Sequence, residues 1–221
     1  MSKEFKGTKA HTRYKLQDGT VVPGVTSVLG MLAKPALIHW AWKLGMEGVD
    51  YKKFRDKAAD IGTLAHYLIQ CELSSETPDL SQYSPEMLDK AENCLISWWE
   101  WKRAHTFDTI LVEEKLVSET YRFGGTIDCL CAMDGQLTLL DFKTGKGIYD
   151  SMLVQLSAYA KLLEENGYKV KAATILNIGR GEDESFKTES ITAKQIDEFW
   201  HGFFIPALTI YNSNKTIRRV V

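Results

Sequence analysis

The sequence predicts an α/β protein with a mixed central sheet flanked by helices. Two observations carry this. Apolar residues recur at helical spacing up to about residue 105, and from Ile110 the period changes to two. Beyond that change come three strand-like runs, a helix, two further strands and a last helix, an order that suits a mixed sheet with helices on its faces. The 221 residues fit one domain, and 44% hydrophobic residues suffice for a sizeable core. Within it we read an N-terminal hairpin arm over 1–24, a helical part over 25–108 and an α/β core over 109–221.

The arm turns at Asp18-Gly19. Thr26 or Ser27 is expected to cap a helix beginning near Val28. Pro35 suits the first turn of the next helix, which carries Leu37, Ile38, Trp40, Ala41 and Leu44. A long helix over about 51–72 follows, with Phe54, Ala58, Ile61, Ala65 and Leu68 on one stripe. Gly62 and His66 lie beside that stripe, one turn apart. A mid-helix glycine costs about 1 kcal/mol against alanine, so something must need its space, either a packed strand or a substrate backbone. Ser84-Pro85 opens a helix to about His105 whose Leu88, Ala91, Leu95, Trp98 and Trp99 follow the buried stripe. Those tryptophans could stack on bases, but their spacing favours a core role.

Three strands come next: 110–118 with Glu113 and Glu114 on opposite faces, 123–131, and 136–143, the last two joined at the turn signal Asp134-Gly135. Gly145 and Gly147 break the chain before a helix over about 150–166, where Gln155 and Tyr159 form a ridge and Gly167 marks the end. Strands over 170–178 and 185–191 are joined through Gly179-Arg180-Gly181. Thr192 and Gln195 form a capping-box pattern, and Pro206 is expected to kink or end the final helix.

The chemistry concentrates in residues 123–143. Strand side chains alternate, so Asp141 and Lys143 share one face while Leu140 and Phe142 take the other. If the strands pair, Asp128 and Asp141 converge. Two close carboxylates repel unless a cation or a proton separates them, and a hard divalent cation with oxygen ligands suits that geometry. Several acid-x-lysine triplets occur in the chain, but only Asp141-Phe142-Lys143 closes a strongly apolar strand after a second acid. A surface salt bridge, worth about 0–1 kcal/mol, would leave Gly124, Gly125, Gly145 and Gly147 unexplained. They would let a substrate backbone come close.

Gly125-Thr126-Ile127-Asp128, Leu139-Leu140-Asp141-Phe142-Lys143-Thr144 and Gln155 through Tyr159, in this order, resemble the PD-(D/E)xK nuclease superfamily, and most nearly its RecB-like exonucleases of phage and mitochondrial type. Gly62-x-x-x-His66, Glu113, the Pro23-Gly24-Val25-Thr26-Ser27 opening and Lys34-Pro35-Ala36-Leu37 are similar too. Isoleucine stands before Asp128 where the family name has proline. The resemblance implies a restriction-endonuclease-like sheet with the helical region over the active site. It also implies a DNA exonuclease using Mg²⁺ or Mn²⁺, of phage or cellular recombination, repair or replication. It assigns the metal to Asp128, Asp141, His66 and the Phe142 carbonyl, and catalysis to Lys143, Asp128, Asp141, Glu113, Gln155 and Tyr159. Glu114 stays open as an alternative to Glu113, because a one-residue slip reverses strand faces. DNA contacts are expected at Thr26, Ser27, Thr144 and Lys146.

The net charge is −2, so polyanion binding must rest on local patches such as Lys3, Lys6, Lys9, Arg13 and Lys15, or Lys215, Arg218 and Arg219. Cys71, Cys94, Cys129 and Cys131 lack C-x-x-C spacing, which argues against a zinc ribbon or redox motif and for a reducing, cytoplasmic setting. They also lack the cysteine spacing of the iron–sulfur members of the family that the chain resembles, so no iron–sulfur cluster is expected. The start shows no signal peptide, and no run approaches the roughly 20 apolar residues of a membrane helix. Expected partners are DNA and, by the resemblance, a single-strand-binding or recombination protein. The competing function is a non-catalytic nucleic-acid-binding module on the same fold.

Overall fold

A computed structural model describes residues 12–179 and 186–217. Lys3, Lys6, Lys9, Arg218 and Arg219, the turn residues Arg180 and Gly181, and the Ala58 side chain of the expected stripe lie outside what it describes. A hairpin of β1 (Tyr14–Lys15) and β2 (Val21–Val22) leads into α1 (Val25–Leu29), α2 (Pro35–Met46), α3 (Tyr51–Leu73) and α4 (Pro85–Lys102). The sheet strands are β3 (Phe107–Ser118), β4 (Phe123–Met133) and β5 (Gln136–Lys143). Then come α5 (Asp150–Glu165), β6 (Ala172–Asn177), β7 (Lys187–Thr192), α6 (Ala193–Phe199) and α7 (Ile205–Ile217).

The main sheet runs β3-β4-β5-β6-β7. Asp134 and Gly135 both take left-handed φ, 50° and 76°, and close the tight β4–β5 hairpin at Met133↔Gln136. The β5–β6 pair is parallel, with α5 as the crossover, and the other pairs are antiparallel. The two sheet faces build separate cores. Ile127, Leu130, Leu139 and Ile175 pack with α5, α6 and α7, while Cys129, Cys131, Leu140, Phe142 and Leu176 pack with α3 and α4. The alternation expected for β5 therefore holds: Leu140 and Phe142 are buried under α3 and α4, and Leu139 takes the α5 side.

Several helix ends follow from the sequence. Ser84 caps α4 by accepting from Met87 N–H. Thr192 and Gln195 cap α6 reciprocally. Gly167 sits at φ 94°, and Tyr168 N–H returns to Leu163 O at 2.8 Å, which closes α5. Others differ. The first helix starts at Val25 with Gly24 as N-cap and no side-chain cap, so Thr26 and Ser27 lie inside it and are exposed. Trp98 is fully buried and donates to Glu72 at 3.0 Å, but Trp99 faces solvent. Phe54, Leu37 and Ile38, expected on buried stripes, are exposed. Pro206 does not end the last helix. A π-helical turn over Trp200–Phe204 precedes it, re-registering the hydrogen-bond ladder where proline has no N–H to give.

Glycines at the centre of the fold make room for this chain's own side chains. A Cβ on Gly62 would stand 2.5 Å from Thr144 Oγ1, one on Gly124 2.5 Å from Tyr14, and one on Gly125 2.6 Å from the Tyr159 ring. The space beside His66 therefore belongs to the end of β5, and the space at Gly124 and Gly125 to two tyrosines rather than a substrate. Among the described residues no helix is long and apolar enough to cross a membrane. Gly125→Ala must displace a packed aromatic, so denaturant unfolding should show a loss of about 1–3 kcal/mol; unchanged stability would contradict this packing.

Candidate active site

The site forms where β3, β4 and β5 stop behaving as regular strands. Gly125 faces Tyr159 and Ile127 packs with α5, yet Cys129 and Cys131 pack on the opposite face with α3 and α4. The alternation of β4 thus reverses at Asp128. On β3, Val112 packs toward α3 and α4 while Leu116 joins the α5 core, so that strand reverses as well. Glu113 lies between the pairs Val112↔Cys129 and Glu114↔Ile127, opposite Asp128, and has φ +50°. A non-glycine residue there costs on the order of 1–3 kcal/mol and persists only where its surroundings hold it.

The reversal gathers three groups. His66 on α3, Glu113 and Asp128 each offer a ligand atom within 4.8 Å of the others. His66 Nδ1 is 3.8 Å from Asp128 Oδ2. Glu114 is exposed, so Glu113 is the acid the fold brings to the site. Asp141 stands outside that trio. It is buried and ion-paired with Lys143 through Oδ2, and its Oδ1 has no hydrogen-bond partner among the described residues. Regular β4–β5 pairing ends at Cys129↔Leu140. One step on, Phe142 N–H donates to Asp128 Oδ2 at 2.7 Å. The carboxylate takes the place of a backbone acceptor at the strand edge. N–H and C=O of one strand residue point the same way, so the Phe142 carbonyl also faces this gap.

Charge explains why the arrangement is unusual. Burial pushes the Asp141 carboxyl up to about 6; Lys143 opposes this and the nearby Asp128 charge adds to it. Burial disfavours the Lys143 ammonium, but Asp141 and Asp128 outweigh it, and its pKa lies above the ordinary lysine value. In the protein alone Lys143 is a cation rather than a ready base. Tyr159 is buried, which pushes its phenol well up, with the charges of Asp141 and Asp128 adding. It accepts from Gln155 Nε2 at 2.8 Å, so the predicted i, i+4 ridge stands beside the acids.

Other expected residues lie around this centre. Thr144 contacts the Gly62 position, and Lys146 is exposed on the loop that follows. Thr26 and Ser27 are exposed in α1, near Gly24, which bridges to Gly124. Sequence reading missed Asn177. Buried at the end of β6 opposite Lys143, it accepts from Gly145 N–H at 3.2 Å and donates to Gly145 O at 3.0 Å. It fixes the loop carrying Thr144 and Lys146. A lone asparagine near the end of an apolar strand-like run was the available signal. Tyr14, which lies against Gly124 and shares a 3.0 Å hydrogen bond with Thr126, was also missed.

The donor set fits a divalent cation. Two carboxylates and one imidazole lie together, and beside Lys143 a buried Asp141 oxygen lacks a partner among the described residues; hard cations take oxygen ligands of this kind. Holding the partly buried Asp128 charge near the buried Asp141 without such a charge is costly.

A protein-family model described as PD-(D/E)XK nuclease superfamily matches residues 37–203. No curated protein matches at a significant level. Among solved structures, a protein from Eubacterium rectale, named provisionally as an exonuclease, is 9% identical over 69% of this chain and 68% of that one, with a TM-score of 0.45. LHK-Exo, solved in complex with dAMP, is 12% identical over 71% of this chain and 85% of that one, with a TM-score of 0.33; it is an alkaline exonuclease from Laribacter hongkongensis. The family match spans well over half the chain and includes Asp128 and the Asp141-Phe142-Lys143 triplet. The chain belongs to the PD-(D/E)XK nuclease superfamily.

Proposed function

We propose that this protein is a metal-dependent DNA exonuclease of the RecB-like group, acting on single-stranded or end-bearing DNA. The observation that carries the proposal is the buried Asp141–Lys143 pair set beside Asp128, Glu113 and His66. Phosphodiester hydrolysis needs negative charge offset on the scissile phosphate and a water made nucleophilic, and a divalent ion supplies both when bound. Asp128, Asp141, Glu113, His66 and the Phe142 carbonyl are the groups that would hold Mg²⁺ or Mn²⁺.

Lys143 enters as an ammonium. It is suited to stabilising charge that develops on phosphate oxygens and to orienting a water; Asp141 fixes where its Nζ sits. Gln155 and Tyr159 close the far side and hold a neutral phenol, able to donate toward phosphate. Thr26, Ser27, Thr144 and Lys146 are proposed backbone-phosphate contacts, which position a strand without reading its sequence. We place the chain as one nuclease domain, residues 25–108 over a core of 109–221, at work in the cytoplasm in phage or cellular recombination, repair or replication, alongside a single-strand-binding or recombination protein.

Asp141→Ala and Lys143→Ala should each abolish chelator-sensitive cleavage of labelled linear DNA while the circular dichroism spectrum is retained; full residual cleavage would refute the assignment. Asp141 also sets a pH dependence. Its folded pKa, about 6, exceeds its ordinary value, so folding takes up a proton and the metal-free fold loses stability as pH rises through about 6. A divalent ion needs the charged form. The rise in melting temperature on adding Mg²⁺ or Mn²⁺ should therefore be small at pH 5 and full by pH 7. A shift that does not change over this range would contradict Asp141 as a ligand.

A further inference from the structure

We infer that the arm formed by α2 and the first turns of α3 is a base-stacking platform for single-stranded DNA beside the active site, with Trp42 as its principal surface. This rests on the nuclease reading above and extends it to how substrate is held. Residues 51–60 of α3 are exposed wherever described, whereas from Ile61 the helix is largely buried against the sheet. The helix meets the sheet where Gly62 admits Thr144 and His66 reaches Asp128. Its first part therefore projects from the catalytic end. Phe54 is eight residues before Gly62, about 12 Å along the axis at 1.5 Å per residue.

α2 packs on this projection through one side only. The half-buried Trp40 meets Tyr51 and Phe54 edge-on, with centroids at 6.5 and 6.0 Å. A second ridge has no such cover. Ile38, Trp42 and Met46, spaced i, i+4, i+8, are 73%, 60% and 72% exposed. The His39 ring stacks on Trp42 at 5.6 Å and 28°, leaving a flat π surface open to solvent. The surrounding charge selects the occupant. Residues 34–56 hold Lys34, Lys43, Lys52, Lys53 and Arg55 against Glu47, Asp50 and Asp56, a net positive segment in a chain of net charge −2. Of those acids, Asp50 caps α3 and Asp56 pairs with Arg55. Aromatic faces among cations, next to a site for a phosphate backbone, match the combination that holds unpaired bases. An apolar protein partner would account for the ridge but not for the lysines around it.

The test is binding of fluorescein-labelled oligo(dT), and of the same strand carrying abasic sites, measured by anisotropy in EDTA. The wild type should prefer the base-bearing strand. Trp42→Ala should weaken oligo(dT) binding at least about fivefold and bind the two strands alike. Trp42→Phe should keep most of the preference, and Ile210→Ala, equally exposed on α7, should match the wild type. The inference is overturned if Trp42→Ala binds oligo(dT) normally, if the wild type ignores base loss, or if Trp42→Ala instead dissociates a dimer seen by light scattering. A wild type that neither cuts nor binds DNA would sink the nuclease reading itself. One that cuts linear DNA but shows no role for Trp42 would sink the platform alone.

Discussion

Two carboxylates, Asp128 and Asp141, are held where the pairing of β4 with β5 ends, one hydrogen-bonded to backbone and one buried against a lysine. Much of the surrounding structure follows from having to keep like charges this close. Asp128 can sit at the β5 edge only because regular pairing of β4 and β5 stops at Cys129↔Leu140. Glu113 can face it only by taking a left-handed backbone conformation. Lys143 is charged because two acids outweigh its burial. What remains after these local compensations is a buried Asp141 oxygen with no hydrogen-bond partner among the described residues, and oxygen ligands of this kind suit a divalent cation.

The rest of the fold acts as a clamp on this arrangement. α3 crosses the sheet end closely because Gly62 yields to Thr144, which brings His66 over Asp128 and against the Phe142 ring. On the other face, α5 lays Tyr159 onto Gly125 and ties it to Gln155. Asn177 fixes the loop leaving β5 through both polar groups of Gly145. Each device joins elements distant in sequence close to the acids. The α2 arm contrasts with this: it keeps the apolar Ile38, Trp42 and Met46 in solvent.

The period of β5 was legible from its alternation, and with it the sides taken by Leu140, Phe142, Asp141 and Lys143. Asp134-Gly135, Ser84-Pro85 and Thr192 with Gln195 announced their turns and caps, because such signals act over a few residues. The choice between Glu113 and Glu114 was not legible. Period-two reasoning assumes an unbroken pleat, and both strands reverse their faces at Glu113 and Asp128. Gly124 and Gly125 suggest openings for a substrate because sequence does not show which side chain fills the space; Tyr14 and Tyr159 do. The exposed ridge of α2 defeated the usual inference from apolar spacing to burial, since periodicity shows that a helix has an apolar face but not what lies opposite it.

If these strand-borne acids hold a divalent cation beside Lys143, as proposed, crystals soaked in Mn²⁺ should show an anomalous peak within coordination distance of both Asp128 and Asp141, lost in Asp128→Asn crystals. A map with no peak there, or one whose only peak lies at surface carboxylates, would rule the proposed metal site out.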